Sequence, residues 1–175
     1  MDDLPERILL VGMMGAGKST VGRALAARLE RPFLDNDALV RERTGREPAE
    51  IDRTDGEDAL HLAEIEAFER AAGRPGRAVI AVAGAVVDLE SERAKLREAG
   101  SVVWLRARPE TLRDRIGSGA GRRDEATDLA WLVRRAAERA SSYRAVADLI
   151  VDVDDCSADE VVAAILAGLE DGSAG

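Results

Sequence analysis

Cysteine occurs once in this 175-residue chain, at Cys156, which excludes an internal disulfide and a cysteine-built metal cluster. Histidine is limited to His61, and lysine to Lys18 and Lys95 among 25 basic residues, so each use of these types carries weight. No apolar run approaches the ~20 residues needed to span a bilayer. The opening MDDLPER lacks the basic-then-apolar layout of a secretory signal. The expectation is a cytoplasmic protein with no membrane partner. Basic residues are also outnumbered, 25 against 34 acidic, giving a formal charge of −9 at pH 7. Broad binding to nucleic acid needs clustered Lys and Arg, so it is not expected either. A local cationic site for a phosphate stays compatible with that balance. Oligomeric state is left open, because no apolar surface stripe stands out.

What is present is a periodic pattern. The length suits one domain over 1–175 with a sizeable core. RILLVG (7–12), RPFLDND (31–37), RAVIAVAGAVV (77–87), SVVWLRA (101–107) and DLIVDV (148–153) read as strands. Helical spacing is expected over 18–30, 38–45, 57–73, 89–100, 109–116, about 129–145, and 157–169, where Ser157 and Glu160 are spaced as a capping box. Residues 46–56 read as polar and irregular, 117–128 as a charged loop, and the tail 170–175 as disordered. Strands alternating with helices predict an α/β fold around a parallel sheet, with ligands at the strands' carboxyl ends.

The strongest signal is GMMGAGKS (12–19), which fits G-x-x-x-x-G-K-[ST] between an expected strand and an expected helix. Gly12, Gly15 and Gly17 allow a tight loop whose backbone N–H groups, with the helix N-terminus, make an anion site. Lys18 is placed for β- and γ-phosphates, and the Ser19 hydroxyl for Mg²⁺. Gly12, Gly15, Ala16, Gly17, Lys18, Ser19 and Thr20 are therefore the candidate nucleotide contacts, and ATP with Mg²⁺ the expected cofactors. FLDND then sets Asp35 and Asp37 two apart at a strand end. One carboxylate suits Mg²⁺ through water and the other suits the proton of an attacking hydroxyl. The plainer reading of Asp37 is a helix N-cap.

From these residues the chain resembles the shikimate kinases. The likeness runs from GMMGAGKSTVGRALAARLERPFLDNDALVRERTGREPAEI through DGEDALHLAE, VIAVAGAVV, VVWLRARPETLRDRI and ERASSYRAVADLIVDVDD, about residues 7–167. It implies a P-loop kinase three-layer sandwich: a five-stranded parallel sheet with helices on both faces, a substrate-binding region at about 34–64 and a mobile lid at about 117–127. It implies transfer of the ATP γ-phosphate to a hydroxyl of a small molecule. By the same resemblance, Lys18, Asp37 and Arg122 are catalytic, with Arg122 reaching over the transferring phosphate from the lid. Arg115 lies beside the adenine. Ser19 and Asp35 serve the metal. Asp37, His61, Glu64, Gly84 and Arg139 form the acceptor side, Arg139 being one of two arginines that grip the substrate carboxylate.

Three departures fall on that acceptor side. The family's GExxFRxxE reads GEDALHLAE, with Leu60 for phenylalanine, His61 for a carboxylate-binding arginine, and Glu64 retained. Its TGGG reads VAGA over 82–85, and its RPLL reads RRDE over 122–125. A hydrogen bond to a charged group contributes ~1.5–3 kcal/mol, so losing one arginine weakens a carboxylate ligand roughly ten- to hundredfold. A histidine with an unperturbed pKa of ~6.5 is mostly neutral at pH 7 and does not match that fork. Alanines in left-handed glycine positions would each cost ~1–2 kcal/mol and narrow the cleft. With the phosphate half intact and the acceptor half altered, a kinase for an acceptor other than shikimate is expected. Shikimate kinase with an unusual pocket, and a nucleotide-binding protein without transfer, are the alternatives. On this reading His61 touches the different acceptor.

Overall fold

β1 (Arg7–Val11) is buried along four of its five residues, because it lies at the centre of the sheet with strands on both sides. In this computed structural model, which describes residues 4–117 and 128–172, five parallel strands make one sheet in the order β2–β3–β1–β4–β5. The others are β2 (Phe33–Asp35), β3 (Ala78–Ala81), β4 (Ser101–Arg106) and the edge strand β5 (Leu149–Asp152). Parallel strands need crossovers, and the helices supply them: α1 (Lys18–Arg28), α2 (Asn36–Thr44), α3 (Pro48–Asp55), α4 (Glu57–Ala72), α5 (Glu90–Ala99), α6 (Pro109–Ile116), α7 (Leu129–Val146) and α8 (Ala158–Gly172). Ile8, Leu9, Leu10, Ile80, Val102, Val103 and Leu105 are fully buried between the helical layers, as the continuous apolar runs require. Trp104 of β4 stacks on Tyr143 of α7 at 5.4 Å, which fixes α7 against the sheet. No helix among the described residues is long and apolar enough to cross a membrane.

The sheet order positions the site. The chain leaves β1, crosses to β2 at one edge and returns to β3. It then passes over β1 to β4, so the topology reverses at β1. The loop after β1, the end of β2 and the turn after β3 therefore open at one crevice, where such sheets bind ligands.

Four expectations are corrected. Residues 48–55 are helical, not irregular: Pro48 occupies the first turn, the Gly56 amide closes the end on Asp52, and Ile51 alone is buried. The strand expected over 77–87 stops at Ala81, and residues 84–87 form a 3₁₀ turn. α8 continues through Gly172, so the helix takes in the first half of the tail expected to be disordered. The cap of α2 is Asp35, whose Oδ1 accepts from the Asp37 amide at 3.1 Å; Asp37 is inside the helix's first turn. The Ser157–Glu160 capping box forms as expected, with the Ser157 amide donating to Glu160 at 2.8 Å and the Glu160 amide to Ser157 Oγ at 3.3 Å.

Candidate active site

Between β1 and α1 the backbone turns through Gly12 (φ 146°), Gly15 (φ 83°) and Gly17 (φ 92°). The turn is pressed against its surroundings: a Cβ on Gly12 would lie 2.6 Å from the Leu105 carbonyl oxygen, and one on Gly15 2.8 Å from that of Leu112. Only glycine satisfies both angle and space there. The Ala16 amide donates to the Met13 carbonyl at 3.1 Å, and the Val21 amide to that of Gly17 at 2.8 Å, so loop passes directly into helix. This is a phosphate cradle, with loop amides and the positive end of α1 at one place. Lys18 Nζ donates to the carbonyls of Gly12 (2.8 Å) and Met13 (3.1 Å), which sets the ammonium over the loop. Gly15 to Thr20 line the cleft, whereas Gly12 is buried beneath it and shapes the loop from below.

On the acceptor side, Asp35 and Asp37 both reach the cleft from the end of β2. Asp35 spends one oxygen on the helix cap, and its other lies 3.7 Å from Arg23. α4 presents Leu60, His61 and Glu64 to the cleft on one helical face. His61 Nε2 is 3.3 Å from Glu57 Oε1, one turn earlier. The turn after β3 contributes Val82 to Ala85. α7 contributes Trp131, Arg135 and Arg139, spaced by four.

Arg139 is the most constrained of these. It is 9% exposed, and its Nε and Nη2 donate to the two oxygens of Asp88 at 2.9 and 2.7 Å. Burial lowers the guanidinium's pKa, but the Asp88 hydrogen bonds, with Tyr143 and Glu64 nearby, hold it above its ordinary value. The cation is permanent. Burial pushes the Tyr143 hydroxyl below Arg139 up to about 12. Gly84 is glycine for a spatial reason: a Cβ there would stand 2.6 Å from Arg139 Nη1. The strain expected at its neighbours is absent. Glu30 and Asp155 are the described non-glycine residues with positive φ, and Ala83 sits at φ −66°. The alanines that replace the family's glycines therefore adopt ordinary backbone angles.

All the proposed site residues except Gly12 and Arg122 line one cleft of about 600 Å³; Arg122 lies outside the described residues. Arg115 is anchored by a bond from Nη2 to the Val153 carbonyl at 2.6 Å, and lines the cleft beside Val153 and Cys156. The described residues contain no group of three or more His, Cys, Asp or Glu able to hold a metal on its own. The pair of Ser19 and Asp35 suits instead an Mg²⁺ that is bound largely by nucleotide phosphates and water. Sequence reasoning missed Arg135, Trp131, Glu57 and Asp88. The signal for Arg135 was its place one helical turn before Arg139.

A cleft of this volume, with a phosphate loop and an acidic strand end in its wall, is of the size that small-molecule sites have. Fold and site together define a P-loop kinase of small molecules. The shikimate kinase family model matches residues 14–170, and the chain belongs to that family. Shikimate kinase of Symbiobacterium thermophilum is 41% identical over 168 residues, covering 94% of this chain and 96% of the relative. That of Moorella thermoacetica is 41% identical over 155 residues, covering 86% and 87%. Among solved structures, shikimate kinase from Acinetobacter baumannii in complex with shikimate superposes with a TM-score of 0.86 at 30% identity, covering 93% of this chain and 91% of that one.

Proposed function

We propose that this ATP-dependent kinase phosphorylates shikimate itself, with Arg139 holding the carboxylate and Asp37 the reacting hydroxyl. The observation that carries the reading is Arg139, a buried, permanently charged guanidinium clamped by Asp88 at the wall of the acceptor half. The full-length relatives named for this substrate support it. The expectation of another acceptor rested partly on strained alanines, and that ground is gone. Its remaining support is His61, which lines the cleft where the family carries arginine, and the charged RRDE over 122–125, which lies outside the described residues. The reading without phosphate transfer has no support in an intact phosphate loop and acid pair.

In the proposed step, a bond forms between the acceptor oxygen and the γ-phosphorus while the bond from that phosphorus to the β–γ bridging oxygen breaks, releasing ADP. The hydroxyl proton passes to the Asp37 carboxylate, or Asp37 orients the oxygen until the proton is lost. The Lys18 ammonium and the loop amides offset charge on the β- and γ-phosphates. Ser19, and Asp35 through water, would hold Mg²⁺, which supplies neutralisation of charge on the transferring phosphate. Glu64 accepts from a ring hydroxyl, Arg115 flanks the base, and Arg122 completes the charge over the phosphate.

Release of ADP from Mg·ATP in the presence of shikimate, and of a panel of other hydroxy acids, cyclitols and sugars, tests the proposal. Shikimate is expected to give the highest kcat/KM. A higher value for another member of the panel would replace shikimate by that compound.

A further inference from the structure

We propose that Arg135 is the second guanidinium of the acceptor's carboxylate clamp, reaching from α7 to do what the family's arginine at the position of His61 would do from α4. The proposal rests on the shikimate reading and names the residue that lets the altered pocket bind a ring carboxylate.

Four observations carry it. First, Arg135 and Arg139 stand one turn apart on α7, and both line the acceptor half of the cleft. Second, they are held differently. Arg139 is locked into Asp88 by two bonds of 2.7 and 2.9 Å, with its side chain 11% exposed. Arg135 has looser partners: 3.3 Å to Glu57, 3.6 Å to Asp88 and 3.3 Å to Glu138, with its side chain 24% exposed. Charge-assisted bonds at full strength are shorter than these, so Arg135 can exchange such contacts for a ligand carboxylate at low cost. Third, Glu57 Oε1 lies 3.3 Å from both Arg135 Nη2 and His61 Nε2. A single oxygen bridges the two side chains, so the Arg135 guanidinium occupies the neighbourhood that an arginine at position 61 would serve.

The fourth observation is how the cleft's other arginines are held. Arg139 is already matched by Asp88, and Arg115 is anchored on the Val153 carbonyl at 2.6 Å. Arg41 also lines the cleft, but it is committed to Glu47 through Nε and Nη2. Among the described arginines that line the cleft, Arg135 is the one held by the longest contacts, all at 3.3 Å or more. The planar fork of Arg135 can take both oxygens of a carboxylate, which imidazole cannot.

Steady-state kinetics of Arg135→Gln test this, with shikimate and its uncharged carboxamide as paired acceptors. The variant is expected to raise KM for shikimate roughly ten- to hundredfold, the loss of one charge-assisted bond. The expected kcat and the KM for ATP stay within a few-fold. The carboxamide is expected to be used equally by both proteins. Adding His61→Arg to Arg135→Gln is expected to recover most of the loss, and Arg135→Lys to fall between the wild type and Arg135→Gln even if the glutamine variant folds poorly. An unchanged KM, or an equal loss for shikimate and carboxamide, overturns the clamp and makes Arg135 a brace for Glu57 and Asp88. In either case, wild-type turnover of shikimate keeps the proposed function standing. A wild type that phosphorylates neither compound overturns the shikimate reading and the clamp with it.

Discussion

Gly84 shows how narrowly single atoms set this site. Its missing Cβ leaves the space that Arg139 Nη1 occupies, so Gly84→Ala displaces a guanidinium whose other nitrogens are fixed on Asp88. The expected outcome is a rise in KM for shikimate of about tenfold or more, as for a weakened charged hydrogen bond, with KM for ATP unchanged. Asp37→Asn is expected to do the reverse. Nucleotide affinity, read by calorimetry, stays close to wild type, while kcat falls by roughly 10²–10⁴, the usual size of a general-base contribution. Equal turnover by that variant would remove Asp37 from the proposed chemistry. The places of Lys18, Ser19, Asp35 and Asp37 in the cleft were legible in the sequence because a glycine loop and an acid pair are contiguous in the chain. Arg135 was not, since it is one basic residue of 25 and only the fold brings Glu57 and Asp88 to it from 78 and 47 positions away. His61 lines the cleft from its helix, and the sequence did not show that an arginine from another helix shares Glu57 with it.

Elements were legible in proportion to the apolar surface they bury. β1 and β4 are continuous apolar runs, and α4 buries Leu60, Ala63, Ala67, Phe68 and Ala71 at helical spacing. α3 escaped because Ile51 is its single buried residue, which gives no period to read; its punctuation, Pro48 and Gly56, was present but unweighted. The 3₁₀ turn at 84–87 escaped for the opposite reason. GAVV is as apolar as the strand before it, so hydrophobicity gives no mark of where extension stops. At α8 the reciprocal cap was visible in both sequence and structure. Ser157→Ala removes the hydroxyl that takes the Glu160 amide, and is expected to lower stability by about 1 kcal/mol in urea titration. Ser157 is outside the cleft lining, so kcat is expected to hold.

At the scale of the whole molecule, the reversal of strand order at β1 is what brings residues from 14–21, 35–64, 81–85 and 131–139 to one crevice. The sequence announced alternation of strands and helices, and the family likeness implied five parallel strands, but the order 2-3-1-4-5 was read from neither. Acid sensitivity is also a property of the whole. Asp152 is held below its usual pKa by Arg106 across the β4–β5 ladder, and Glu160 by the Ser157 amide and hydroxyl. Asp55 is lowered by Arg46 and Thr54, and Glu47 by Arg41. The folded state thus binds fewer protons than the unfolded chain in the carboxylate range. These groups stabilise the fold above their unfolded pKa values near 4, and that contribution is lost as pH falls through their lower folded values. Urea midpoints are expected to decline steadily from pH 5 to pH 3; a flat profile would exclude these pairs as contributors. Finally, the two tryptophans divide the molecule between them. Trp104 is 6% exposed and stacked on Tyr143, whereas Trp131 is in the cleft wall one turn from Arg135. The chain therefore carries its own pair of fluorophores: emission from Trp131 is expected to follow occupancy of the crevice and emission from Trp104 loss of the core, and replacing either by phenylalanine is expected to leave a sensor of the other event.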